Sequence, residues 1–415
     1  MTPSKATTSA RATALFALLY AVQGVVVAYL TNFNKGYMVA AGVDERIAAR
    51  VETLALSLLM FKFVLGPVSD RWSPFGLGHR RPYIILGLML LILGLFGLSA
   101  LDPGVTLFGF GAAAVVAVGG MCLFDTTCDG MVIDVTPPND RSRVQGLLQL
   151  SRFLATMVCT LGFGFWIEHH GPGPGRSDAV ILACAAFAMV PLALAFFVRE
   201  RSTGAASDRE RFDWAAMKVM FTPYSLILIA YGALYGLVGV GVEFNLNRWY
   251  AALGYGNDAN GVFSAIRYGG RAAGAIALPI LGARMTRSRR IALGLIVLAA
   301  ATILQAAVVD SVSAGATAFL FGLANGWNDA LFCVLAMEAA NPLMAASTFA
   351  IFMAASNVSI VGDFLFLEVV HLFGGRFAPA FAICAALVLG LVGFVRPLSR
   401  PPHRAATSDA EGAAA

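Results

Sequence analysis

Eight charged residues, Lys62, Asp125, Asp129, Asp134, Arg152, Arg267, Arg271 and Asp329, interrupt runs that are otherwise almost wholly apolar. A charge in the middle of a membrane span costs about 3 kcal/mol on insertion scales, so each needs a partner, a hydrated cavity or a function. Lys62 lies eight residues before Asp70, Asp125 and Asp129 lie nine and five before Asp134, and Arg152 lies nine after Arg143. At a helical rise of 1.5 Å per residue, all four sit about 8 to 14 Å inside the same membrane boundary. Asp125 and Asp129, four apart, share one face of a helix. A carboxylate that exchanges a cationic partner for a proton is the chemistry of proton coupling. Asp129 is the leading candidate, with Asp125, Lys62 and Asp329 beside it. The other reading, a static ion-pair network pinning helices 2, 4 and 5 together, stays open.

Polar side chains on other helices would bind a solute. Tyr20, Gln23, Thr31 and Asn34 lie near one face of the first helix, and Gln145, Gln149, Arg152 and Thr156 follow at helical spacing on the fifth. Arg267 and Arg271 share a face of the eighth, with Tyr268 adjacent, too deep to be topogenic. They read as binders of a carboxylate or phosphate, or else as partners of Glu243 or Asp363. Asn325 and Asp329 lie four apart on the tenth helix, and Ser356, Asn357 and Asp363 lie on the eleventh. No metal is expected. The six cysteines lie singly in apolar segments, and His169 and His170 read as a solvated pair in the loop after helix 5. No Walker loop, GxSxG elbow or HExxH is present, so no catalytic residue, cofactor or enzymatic activity is implied.

The elements that must position these residues are membrane helices. Of 415 residues 58% are hydrophobic and 13% charged, with a mean hydropathy of +0.75, more than a water-soluble core needs. Apolar runs recur near 12–32, 47–69, 82–101, 105–133, 143–167, 179–198, 223–246, 259–282, 290–309, 313–337, 343–370 and 376–396. The fold class is therefore all-α, twelve spans. Residues 1–198 and 223–396 form two sets of six, 199–222 a polar cytoplasmic linker and 397–415 a disordered tail. The polar segment 1–11 precedes a retained first span. With the amino terminus inside, nineteen Lys and Arg fall in inner segments and six in outer loops, which puts both termini in the cytoplasm. The net charge of +5 is thus topogenic, with no nucleic-acid partner implied. The sets of six also resemble each other: Asp125, Asp134 and Pro138 recur 204 residues later as Asp329, Glu338 and Pro342, and Tyr20, Phe33 and Asn34 recur 211 later as Tyr231, Phe244 and Asn245.

Between the second and third spans, Gly66, Asp70, Arg71, Gly78, Arg80 and Arg81 resemble the cytoplasmic gate motif of the major facilitator superfamily, with His79 and extra residues around 72–77 intruding. A narrower likeness rests on Leu19 to Gly24 (LYAVQG), Phe61-Lys62-Phe63 ahead of Pro67 and Asp70, His79-Arg80-Arg81, and Asp125 to Asp134 (DTTCDGMVID). These resemble the AmpG-like branch, which includes bacterial muropeptide permeases and acetyl-coenzyme A transporters, and Lys62, Asp125 and Asp129 occupy that branch's characteristic places. Thr126-Thr127-Cys128 replaces its usual apolar spacer, and helix 1 lacks the Pro that often follows Gln-Gly. The resemblance implies a monomeric, multi-pass secondary transporter of a bacterial inner membrane. It would act by proton symport on an anionic or amphipathic small molecule, with helices 1, 4, 5, 7, 8, 10 and 11 lining the path. Arg80 to Ile84 is similar to the PucC-like branch as well, which implies the alternative of a non-transporting pigment-delivery factor.

Overall fold

The computed structural model describes residues 10–72, 78–137, 140–171, 177–197, 214–341 and 344–400. Eleven helices among them are long and apolar enough to cross a membrane. In chain order these are α1 (Ala12–Ala40), α2 (Ile47–Arg71), α3 (Arg81–Ala100), α4 (Leu107–Val135), α5 (Arg141–His170), α6 (Ser177–Phe197), α7 (Pro223–Ala252), α9 (Arg287–Ala307), α10 (Ser311–Ala339), α11 (Ala345–Leu372) and α12 (Phe377–Leu398). A further long helix, α8 (Asn257–Leu281), stands between α7 and α9. It falls short of span hydropathy because it carries Arg267 and Arg271. Parts of the expected linker and tail, 198–213 and 401–415, lie outside the described residues, and Trp214–Phe221 is a 3-10 helix.

Apolar residues on both sides of a helix suit a bilayer and not water. On α3, Leu88, Leu91, Leu95 and Leu98 are buried, while Leu86, Met89, Leu93 and Phe96 form an exposed, equally apolar stripe. Helix ends follow local chemistry. Thr222, before Pro223, accepts a hydrogen bond from the Ser225 amide and starts α7. Asp310 starts α10 through a capping box, accepting from the Ser313 amide at 2.7 Å. That amide bond, with the Ser313 hydroxyl, holds the exposed Asp310 carboxyl below its ordinary range. A depressed carboxyl stabilises the fold above its unfolded pKa and loses that contribution as pH falls through the folded value. Hydrogen exchange at Ser313 is therefore expected to accelerate on acidification, and Asp310→Ala is expected to abolish the acid step; an unchanged step would contradict the cap.

Helix α2 is interrupted. Leu58–Met60 and Lys62–Val64 are 3-10 turns, and regular helix resumes only at Leu65–Arg71. Pro67 accounts for this: it has no N–H to give the Phe63 carbonyl, and its ring would clash with that carbonyl in a continuous helix. Lys62 thus sits on the irregular stretch. In contrast, α8 and α10 pack through glycines. A Cβ on Gly274 would lie 2.0 Å from the Leu323 carbonyl oxygen, and one on Gly326 would lie 2.0 Å from that of Arg271.

The chain divides into two compact units. One comprises Met1–Pro137, Ser151–Phe212 and Pro342–Ala350, the other Pro138–Leu150, Asp213–Asn341 and Ile351–Ala415. Helices α5 and α11 each change unit part-way, at 150/151 and 350/351.

Candidate functional site

The first unit brings Tyr20, Lys62, Asp125 and Asp129 together from three helices. Lys62 Nζ lies 2.9 Å from Asp125 Oδ2 and 3.8 Å from Asp129 Oδ2, and all three side chains are at most 5% exposed. The Tyr20 hydroxyl donates to Asp129 Oδ1 at 2.5 Å. The four-residue spacing on α4 aims both carboxylates at one point, and the irregular stretch of α2 brings Lys62 to it. Gln23 is buried one turn along α1, its carbonyl oxygen without a hydrogen-bond partner among the described residues. Arg152 is half-buried on α5 and is not drawn into the ion pair.

The gate-motif residues form a second cluster in the same unit. Arg80 pairs with Asp70 at 2.6 Å and with Asp134 at 3.3 Å, and donates to the Ser69 hydroxyl. Asp70 also accepts from the Ser347 amide at 2.8 Å, the Ser347 hydroxyl at 2.5 Å and the Ala346 amide at 3.3 Å, a carboxylate at the first turn of α11. Gly66 permits that approach, since a Cβ there would lie 2.5 Å from Ser347 Cα. Arg81 donates to the Ala195 and Phe196 carbonyls at the end of α6, and Arg71 is exposed beside Trp72. Asp70→Asn is expected to cost about 2 kcal/mol, because Arg80 loses the shorter of its two ion pairs, the one at 2.6 Å. Thermal unfolding in detergent checks this, and an equal or larger loss in Asp134→Asn would contradict the order.

The second unit carries a balanced network. Glu243 meets Arg271 at 3.0 Å and Arg267 at 3.5 Å, Arg271 reaches Asp329 at 3.3 Å, and the Tyr235 hydroxyl donates to Asp329 at 3.2 Å. Of the two partners the sequence offers for these arginines, the structure selects Glu243. Asp363 accepts instead from Asn245 at 2.9 Å and Arg248 at 3.4 Å. Asn325 donates to the Phe321 carbonyl within α10 and packs on Gly239. Gln149 is buried against the Cys333 sulfur, and Gln145 against that of Met337. The single polar stripe read along α5 is therefore divided: its two glutamines belong to this unit and Arg152 and Thr156 to the other.

Sequence reasoning missed the junction of Arg287 with Glu338, Tyr224 and the Leu398 carbonyl. A signal was available, because Arg287 with Glu338 repeats Arg80 with Asp134 at nearly the 204-residue spacing. His169 and His170 belong to the last turn of α5, His169 tilted against Phe165 and His170 stacked on Trp166, rather than to a loop. No group of three metal-ligating side chains occurs among the described residues, and the six cysteines are free.

Residues 10–362 match the family described as Major Facilitator Superfamily. The chain belongs to that superfamily. With eleven helices among its described residues long and apolar enough to cross a membrane, this major facilitator protein is a multi-pass membrane protein. An anhydromuropeptide permease of Escherichia coli (strain K12) is 25% identical over 154 residues, 37% of this chain. The match spans only 31% of that relative's length. Among solved structures, the human organic anion transporter MFSD10 superposes with a TM-score of 0.71 at 14% identity, over 93% of this chain and 99% of that one. FucP in its outward conformation gives 0.71 at 12% identity, over 94% and 98%. At such identities these likenesses establish the fold alone.

Proposed function

We propose that this major facilitator protein is a proton-coupled secondary transporter of an anionic or amphipathic small solute, working by alternating access. The observation that carries this reading is the charge count of the Tyr20, Lys62, Asp125 and Asp129 cluster: one ammonium faces two carboxylates in a site that is almost fully buried. Within ion-pair distance one negative charge is left uncompensated, and a proton on Asp129 is the smallest species that balances it. Arg152, Arg267 and Arg271, with Tyr20, Gln23, Gln149 and Asn325, would supply the solute's polar contacts. The two sets of six helices, 1–198 and 223–396, would rock about that path, with both termini in the cytoplasm of a bacterium and the monomer in its inner membrane.

The test is proton flux in proteoliposomes on addition of an anhydromuropeptide, the solute named for the similar permease, and then an acyl-coenzyme A. Flux that depends on the solute is expected, together with at least a tenfold loss in Asp129→Asn. Normal flux and an unchanged pH profile in that variant would remove Asp129 from the mechanism.

One observation favours the alternative of pigment delivery. A groove of about 540 Å³ on the first unit is lined by Ala17, Leu18, Ala21, Leu154, Val158 and Phe187, an apolar surface that suits a pigment or lipid tail. Copurifying pigment, with no flux of either solute, would support this second reading.

A further inference from the structure

Among the cations deep within the spans, Arg152 is bound least. Lys62 faces Asp125 and Asp129, and Arg267 and Arg271 face Glu243. The Arg152 guanidinium has no carboxylate within ion-pair distance among the described residues, and its central carbon stands 5.7 Å from the centre of the neighbouring Phe153 ring. It is also only half-buried, whereas Lys62 and Arg267 are 3% and 4% exposed. An accessible arginine without a counter-ion inside a span is a charge waiting for an anion.

Its position is fixed by its backbone. A Cβ on Gly24 would lie 2.2 Å from the Arg152 carbonyl oxygen, so α1 and α5 touch there. Thr156 closes the contact, its hydroxyl lying 3.1 Å from the Gly24 carbonyl oxygen and 2.9 Å from that of Arg152. Tyr20, which donates to Asp129, is one turn before Gly24 on α1. The contact that seats Arg152 and the bond that holds Asp129 are therefore one turn apart on the same helix. The groups around Asp129 are Tyr20 from α1 and Lys62 from α2, both in contact with it, Asp125 and Cys128 from its own helix, and Arg152 from α5, which stays beyond ion-pair distance.

We propose that Arg152 links the solute to the proton: a carboxylate or phosphate of the solute docks on its guanidinium and, by neutralising it, makes Asp129 take up a proton from water. This rests on the proton-coupled reading given above. The coupling is reciprocal by linkage, so a proton on Asp129 also frees Arg152 to hold the anion more tightly, and the two ligands load together. Symport follows from that sign, because the site that holds only one of them is disfavoured.

Infrared titration of the purified full chain tests the link. The Asp129 carboxyl band is assigned as the protonated-acid band lost in Asp129→Asn. Arg152→Gln imitates the neutralised arginine, and about tenfold tighter proton binding at that band is expected, with Arg152→Lys close to the parent chain. Addition of an anhydromuropeptide is expected to tighten proton binding in the parent chain but not in Arg152→Gln, and its carboxyl methyl ester is expected to do so in neither. A band that titrates identically in Arg152→Gln and the parent overturns this proposal and leaves proton coupling intact. An acid form that acts equally on both chains also overturns it. If no Asp129-dependent band appears anywhere in the pH range over which the chain stays folded, the proton-coupled reading itself fails, and this inference with it.

Discussion

Lys62→Met is expected to cost about 3 to 5 kcal/mol of stability, the usual penalty for removing one member of a buried ion pair. The penalty arises because Asp125 and Asp129 stay behind, each at most 5% exposed, with no ammonium between them. Restoring the balance differently should recover much of the loss. In Lys62→Met with Asp125→Leu, the remaining carboxylate still accepts from Tyr20, and an apolar pair in place of an ionic one is often neutral. The measurement is a double-mutant cycle on thermal unfolding in detergent, with the fraction of monodisperse protein as a second readout. A loss below about 1 kcal/mol in the single variant would mean that water reaches the site and screens it.

Gly274→Leu is expected to be at least as damaging. The Cβ alone would lie 2.0 Å from the Leu323 carbonyl oxygen and 2.8 Å from the Trp327 amide nitrogen, and both are backbone atoms that no rotamer change can move. Gly270, Gly322 and Gly326 meet the facing backbone at 2.3, 2.0 and 2.0 Å, so the helices cannot slide to a neighbouring register. Overpacking typically costs about 1 to 3 kcal/mol and more where, as here, only backbone could give way, and Gly274→Ala should already show much of it. Gly261→Ala, on the same helix with nothing within 4 Å of its Cβ, serves as the control and is expected to stabilise by about 0.5 to 1 kcal/mol through helix propensity. Equal behaviour of the two alanine variants would contradict the close approach.

The helices were legible because membrane spans declare themselves by length and apolarity, properties that survive without any tertiary information. Lys62, Asp125 and Asp129 were legible for a related reason: a charge is conspicuous where charges are expensive, and helical rise alone put all three at one depth. Partner choice was not legible. Glu243 and Asp363 were equally available to Arg267 and Arg271 on the sequence, and only helix orientation gives Glu243 to them and Asp363 to Arg248. The glutamines of α5 show the same limit. Periodicity places Gln145, Gln149, Arg152 and Thr156 on one face, but it cannot tell that the unit packed against that face changes at residue 151. The break in α2 was signalled by Pro67, whose effect falls four residues upstream, on the turn that carries Lys62.

That break and the glycine-lined pair give similar charges different mechanical lives. Arg271 and Asp329 stand on two helices interlocked backbone to backbone, so their backbones keep one spacing and only side-chain rotation can open the bond. Lys62 meets Asp125 from a stretch of short 3-10 turns, whose torsions can change without unseating a whole helix. That bond is a clasp, free to open and close while the rest of its helix stays seated.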